Sequence, residues 1–198
     1  MEQENGAFLP CAFALRFAEE NDIPSLHALI EASVRGLQAE DYTAAQIDGA
    51  LGTVLGLDTQ LIHDRTYFVA EAVFHGAQRA VHGNLLAGCG GWSKRKTLFG
   101  ADGARVREPE LLDPATDAAK VRAIFVHPAF ARRGLGSTIL AHVESDAAVA
   151  GFRHFEMGST LTGVALYQLR GYVEVERIAV PLVNGEVLPV VKMVKRAG

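Results

Sequence analysis

Residues 121–140, VRAIFVHPAFARRGLGSTIL, set two arginines and two glycines between an apolar run and a helix-like repeat. Pro128 cannot donate to a sheet ladder, so a strand should end near His127. Gly134 and Gly136 fall where the chain turns into the helix, and glycine tolerates positive φ and a close backbone approach. A helix start leaves amide N–H groups unpaired and carries partial positive charge. Together these features make an anion site suited to phosphate. Arginine pairs on a helix shoulder are commonly just solvated; the place of Arg132 and Arg133 directly before Gly134 ties their charge to the turn.

The turn is not a known nucleotide loop. A Gly-Lys-Ser/Thr ending is absent, and GLGSTI puts Ile139 where a dinucleotide fingerprint has its third glycine. Further along, STLTGVALYQLRGYVEV (159–175) carries Tyr167 on a short helical pattern closed by Gly171. From spacing alone Tyr167 reads as a core aromatic as readily as a proton donor. Three groups compete as a base: Glu71 in an apolar strand, Glu156 in a later one, and His127 at the end of the central strand. Glu71 is the candidate chosen, and His127 before Pro128 also reads as turn chemistry. Cys89, among small apolar residues and without an activating neighbour, reads as a buried inert thiol.

The elements that must position these groups follow from periodicity. Strands are expected at 12–17, 66–74, 85–93, 120–126 and 152–158, and as a C-terminal hairpin about Asn184-Gly185. Helices are expected from Ile23 to Leu37, with Asp22 as cap and Pro24 in the first turn, and over 43–56, where Thr43 and Gln46 form a capping-box pattern. Another is expected from Leu135, with Leu135, Ile139, Val143 and Ala147 on one face, ending at Gly151. GAQRAVHGN (76–84) reads as a hairpin turn. Residues 94–119 are charged, hold Gly100, Gly103, Pro109 and Pro114, and show no period. They read as a long loop with one helical turn at most, either functional or a solvated insert.

The 198 residues suit one domain, with 49% apolar content to build its core. The net charge is −4, from 19 basic and 23 acidic residues, which argues against nucleic-acid binding. Two cysteines, Cys11 and Cys89, lie far apart, so a disulfide framework is not expected and a reducing cytoplasm is the simpler setting. MEQENGAFLPCAF has no long apolar core, so no signal peptide is expected, and no run has the length of a membrane span.

Both motifs, in this order, resemble those of the GCN5-related N-acetyltransferases (GNAT): VHPAFARRGLGSTIL the acyl-coenzyme A motif, STLTGVALYQLRGYVEV the downstream segment. Ala131 stands where that family usually has glutamine or arginine. The resemblance implies one acetyltransferase-like domain over 1–198, with the insert at about 94–119. Its fold class would be α/β: a mixed, mostly antiparallel sheet with a central splayed parallel strand pair and helices on both faces. It implies that Arg122–His127 and Phe152–Gly158 splay and that acetyl-CoA lies between them. Main-chain groups of Phe125 and Val126 would pair with the pantetheine arm, and the Val126 N–H would polarise the thioester carbonyl. Amides of Arg132, Arg133, Gly134, Leu135, Gly136 and Ser137 would hold the diphosphate. Tyr167 would protonate the departing thiolate.

The implied function is N-acetyl transfer to a primary amine of a small molecule or peptide, by direct attack in a ternary complex and without a metal. The alternative is an acyl-CoA sensor of the same fold without turnover. For the acceptor, Glu40 and Asp41 favour a cation, whereas Lys94, Arg95 and Lys96 favour an anion, and the sequence leaves both open. The C-terminal hairpin is a candidate homodimer seam.

Overall fold

The structure, a computed structural model, describes residues 12–74, 85–104 and 108–196. Its strands are β1 (Ala12–Phe17), β2 (Tyr67–Val73), β3 (Leu85–Ser93), β4 (Ala119–Val126), β5 (His154–Thr160), β6 (Val173–Pro181) and β7 (Val187–Arg196). They form one sheet in the order β1-β2-β3-β4-β5-β7-β6, antiparallel throughout except for the β4–β5 pair. Five helices are described: α1 (Ile23–Leu37), α2 (Ala44–Ala50), α3 (Thr59–His63), α4 (Leu135–Val149) and α5 (Val164–Leu169). No described helix is long and apolar enough to cross a membrane.

Both faces of the sheet are covered, as its two-sided apolar strands require. Tyr67 and Val69 of β2 face one way, into a core with Leu26, Ile30, Val34 and Ile47. Phe68 and Ala70 face the other way, into a core with Leu135, Ile139 and Val143 of α4. The glycines of β3 let α4 sit close to the sheet. A Cβ at Gly90 would lie 2.7 Å from Ile139, and one at Gly88 would lie 2.8 Å from it.

Local chemistry sets the helix ends. Thr43 and Gln46 form the expected capping box: Gln46 N–H donates to Thr43 Oγ1 at 3.2 Å and Thr43 N–H to Gln46 Oε1 at 3.0 Å. The helix they start is shorter than 43–56, because Leu51 turns extended and Gly52 has φ +76°. Asp22 does not cap α1. Its carboxylate accepts instead from Arg16 and from the Glu19 N–H, closing the single 3-10 turn that precedes the helix. Helix α3 was not expected; it is one short turn capped by Asp58, whose carboxylate accepts from the Gln60 N–H at 3.2 Å. The turn expected at 76–84 lies outside the described residues. Residues 94–104 and 108–118 contain no helix, and they are tied down rather than loosely solvated. Ala101, Asp102 and Gly103 donate backbone hydrogen bonds to Thr53, Leu57 and Gly52, and Leu112 donates to Lys94.

Candidate active site

The parallel pairing of β4 and β5 consists of Ala119 with Phe155 and Lys120 with Glu156, and then stops. Beyond it β4 stays on β3 and β5 stays on β7, so the sheet divides and a gap opens. Glu156 sits at the point of division, bonded to Lys120 and 3.4 Å from Lys192 Nζ. A bulge in β4 opposite Gly90 bends the strand away; its Ala123 has φ +52°. The Tyr67 hydroxyl donates to the Ala123 carbonyl at 2.9 Å. A small chamber of ≈ 70 Å³ results, walled by Ala123, Phe125, Gly158, Ser159, Tyr167 and Gln38 among others.

Past the bulge the strand alternates regularly. His127 N–H donates to Ala87 O of β3 at 2.9 Å. The N–H of Val126 therefore points away from β3, into the gap. The Phe125 N–H is turned to β3, where Phe125 pairs with Cys89. So of the two main-chain positions expected to face the gap, the Val126 N–H does, whereas Phe125 lines the chamber with its N–H turned to β3.

The turn after β4 runs from His127 to Gly134 and leads into α4. His127 Nδ1 accepts from the Ala129 N–H at 3.2 Å, which is turn chemistry and occupies that nitrogen. Arg132 at φ +61° and Gly134 at φ +80° then curl the backbone into α4. Gly134 provides no side-chain cap. Among the described residues, no protein group accepts from the amides of residues 132–137. Arg132 and Arg133 are exposed and have no described acidic partner. Beside them a groove of ≈ 340 Å³ runs along Val126, Leu135, Gly136 and Ser137 to Leu166 of α5. Arg132, Gly134, Leu135, Gly136 and Ser137 thus line this groove together with Val126, and Arg133 lies next to them in the chain.

Tyr167 of α5 faces the chamber and packs on Tyr172, with ring centroids 5.9 Å apart. Burial pushes its phenol up to about 12, so it holds its proton at neutral pH. Glu71 lies elsewhere. Its carboxylate is bonded to Arg16 Nε at 2.8 Å on the β1–β2 pair, and it does not line the chamber. Glu156 is held in its lysine pair. Cys89 is fully buried, and that burial raises its thiol to about 12, as expected of an inert group.

Sequence reasoning overlooked Arg122. It is buried on β4, and its guanidinium donates to Asp58 Oδ2 at 2.9 Å and to the carbonyls of Thr97 and Gly100. This strand residue holds the insert over the chamber, where Leu98, Phe99 and Gly100 form part of the wall. Its visible signal was a charge inside an otherwise apolar strand. Two basic residues of the insert are spoken for: Arg95 grips Asp64 with two bonds of 2.9 Å, and Lys96 bonds Glu110. Asp41 accepts from Thr162 Oγ1.

A divided sheet with bare amides beside the gap defines a class, the acyl-CoA N-acyltransferase fold. Residues 111–196 match the family model described as Acetyltransferase (GNAT) domain, and the described chain has the GNAT fold throughout. It is similar to a GCN5-related N-acetyltransferase from Rhodopseudomonas palustris, with 21% identity and a TM-score of 0.64 over 96% of this chain and 99% of that one. It is also similar to the PaiA N-acetyltransferase from Thermoplasma acidophilum, solved with coenzyme A, with 11% identity and a TM-score of 0.59 over 93% and 99% of the two chains. N-acetylglutamate synthase from Neisseria gonorrhoeae, solved with coenzyme A and N-acetyl-glutamate, matches at 19% identity and TM-score 0.57, over 95% of this chain and 36% of that one. No match is found among curated proteins.

Proposed function

We propose that the protein is an N-acetyltransferase that uses acetyl-CoA to acetylate a primary amine directly, in a ternary complex. The observation that carries this reading is the row of amides at 132–137 with no acceptor in the described protein, opening onto a groove that reaches the divided strands. Acetyl-CoA supplies an acyl group activated as a thioester. The residues fit it: amides and two free arginines suit a diphosphate, and a strand edge suits an amide-bearing arm.

The chain's own groups then divide the work. The Val126 N–H is directed into the gap, where a hydrogen bond would stabilise negative charge on a carbonyl oxygen. Tyr167 keeps its proton and gives it to sulfur. An acceptor amine must arrive neutral, since a lysine-like amine has a pKa of about 10.4. As the C–N bond forms and the C–S bond breaks, the amine proton leaves to water and the sulfur takes the Tyr167 proton. Water is the route because Glu71, Glu156 and the His127 Nδ1 are each engaged elsewhere.

Calorimetry with acetyl-CoA, followed by incubation with acetyl-CoA and an amine pool and mass spectrometry of the products, tests the reading. Binding with acetylated product is the expected result. Binding without product from any amine would make the protein an acyl-CoA-binding domain. Absence of binding would overturn the reading entirely.

A further inference from the structure

Two approaches meet at the chamber. One is the groove of bare amides. The other lies across the insert, a groove of ≈ 350 Å³ walled by Val54, Phe99, Val180, Leu182 and Val183. It borders the chamber, because Val54, Phe99 and Gly100 line both. A volume of this order suits the body of a small ligand. No described residue lining this second groove is charged. The chamber's one charged side chain, Arg122, is matched by Asp58 and two carbonyls. Among the described residues the walls therefore offer a polycation or a dicarboxylate no matching charge.

One buried polar atom in the chamber wall has no protein partner. Gln38, at the end of α1, is 6% exposed and lines the chamber, and its Oε1 is buried without a hydrogen bond. Such an orphan is costly unless something else supplies the donor. An amide side chain cannot act as a base at neutral pH, but it can accept an N–H and fix the direction of a lone pair.

We infer that the acceptor is a small primary amine on an apolar chain or ring. Its nitrogen is held by the Gln38 side-chain amide, and its body lies in the Val54–Phe99–Leu182 groove. This rests on the acetyltransferase reading and narrows it. Gln38 is a positioning and specificity residue, and Val183 sits at the mouth of the groove, exposed enough to change without disturbing the core.

The test has two stages. Calorimetry with acetyl-CoA first establishes the cofactor site; no binding sinks both the reading and this inference. With binding established, initial rates are measured for hexylamine, phenethylamine, putrescine, spermidine and glutamate. The expected result is kcat/KM for hexylamine and phenethylamine at least about 100-fold above that for spermidine and glutamate. Gln38→Leu should lower kcat/KM for hexylamine by about 10-fold or more with an unchanged acetyl-CoA Kd. Val183→Glu should shift preference from hexylamine toward putrescine by about 10-fold. Equal or better rates with the charged amines, or a Gln38→Leu enzyme indistinguishable from wild type, overturns the inference and leaves the acetyltransferase reading standing.

Discussion

The hydroxyl of Tyr67 donates to the Ala123 carbonyl at 2.9 Å and lies 3.2 Å from the Cys89 sulfur. It grips β4 at the positive-φ residue of its bulge, and burial raises this phenol well above its usual range. Tyr67→Phe keeps the ring and removes the grip. The part-buried Ala123 carbonyl then lacks its donor, which should cost about 1 kcal/mol. Urea unfolding should show a lower midpoint with an unchanged slope, and an unchanged midpoint would show that the bulge holds itself.

Gly134 separates backbone from side-chain effects. A Cβ there would meet nothing within 4 Å, but φ is +80°. Gly134→Ala should therefore lose about 1–2 kcal/mol of stability through strain alone. Gly134→Glu adds a carboxylate beside the free amides and should weaken acetyl-CoA binding by more than about 100-fold. Calorimetry with equal affinity in the Glu variant would remove this turn from the binding site.

For Tyr167→Phe, kcat should fall about 100-fold while the acetyl-CoA Kd stays within about twofold. The donor works only while protonated, and burial has raised its pKa to about 12. The loss of rate that its ionisation would cause is moved upward, above roughly pH 11. The rate should rise with pH as the acceptor amine loses its proton, with no fall up to that point. A descending limb near pH 10 would mean that another group is the acid. In the same assay Glu71→Gln should retain turnover within about threefold, since its carboxylate serves Arg16.

Arg122 and Asp58 form a pair with side chains only 3% and 6% exposed. Arg122→Met takes the guanidinium from a buried carboxylate and should cost about 3–5 kcal/mol. Arg122→Met combined with Asp58→Leu should recover much of that, less about 1 kcal/mol for the lost cap of α3. Turnover should not recover, because the carbonyls of Thr97 and Gly100 then lose the Arg122 donors that hold them above the chamber. Thermal and denaturant unfolding beside kinetics would reveal any departure.

Asp22 sets part of the acid stability. The hydrogen bonds from Arg16, aided by the Glu19 N–H, hold its carboxyl below the usual value of 3.8. A carboxylate depressed on folding contributes stability above its unfolded pKa and loses it as pH falls through the folded value. Asp22→Asn should therefore be less stable at neutral pH and converge on wild type below about pH 4. The pair is partly exposed, so the difference should stay under about 1 kcal/mol. A gap that persists in acid would place the cause in packing.

The amide turn was readable because it rests on local rules, whereas the division of the sheet followed only from the family resemblance. Proline stops β4, glycine takes positive φ, and a helix start lacking a capping side chain leaves donors free. The same holds for the Thr43–Gln46 box. What escaped notice depends on distant partners. Asp22 reads as a helix cap until Arg16, six residues earlier, claims it. Arg122 gains meaning only when Asp58 and the carbonyls of 97 and 100 surround it. Glu71 looked placed for catalysis because a strand position fixes a face but not which neighbour occupies it. Gln38 carries no sequence signal at all, since an orphaned oxygen exists only once the chamber has walls.

The two parts of the sheet, β1–β4 and β5–β7, are linked edge to edge by only two residue pairs, at 119–155 and 120–156. The sheet opens from there like a book with a short spine. Amides along the inner margin of each leaf lack the protection that neighbouring strands give elsewhere, and their hydrogens should exchange with deuterium early. A ligand lying across the opening would act as a clasp, slowing that exchange on both leaves at once and raising the melting temperature in proportion to the logarithm of its concentration.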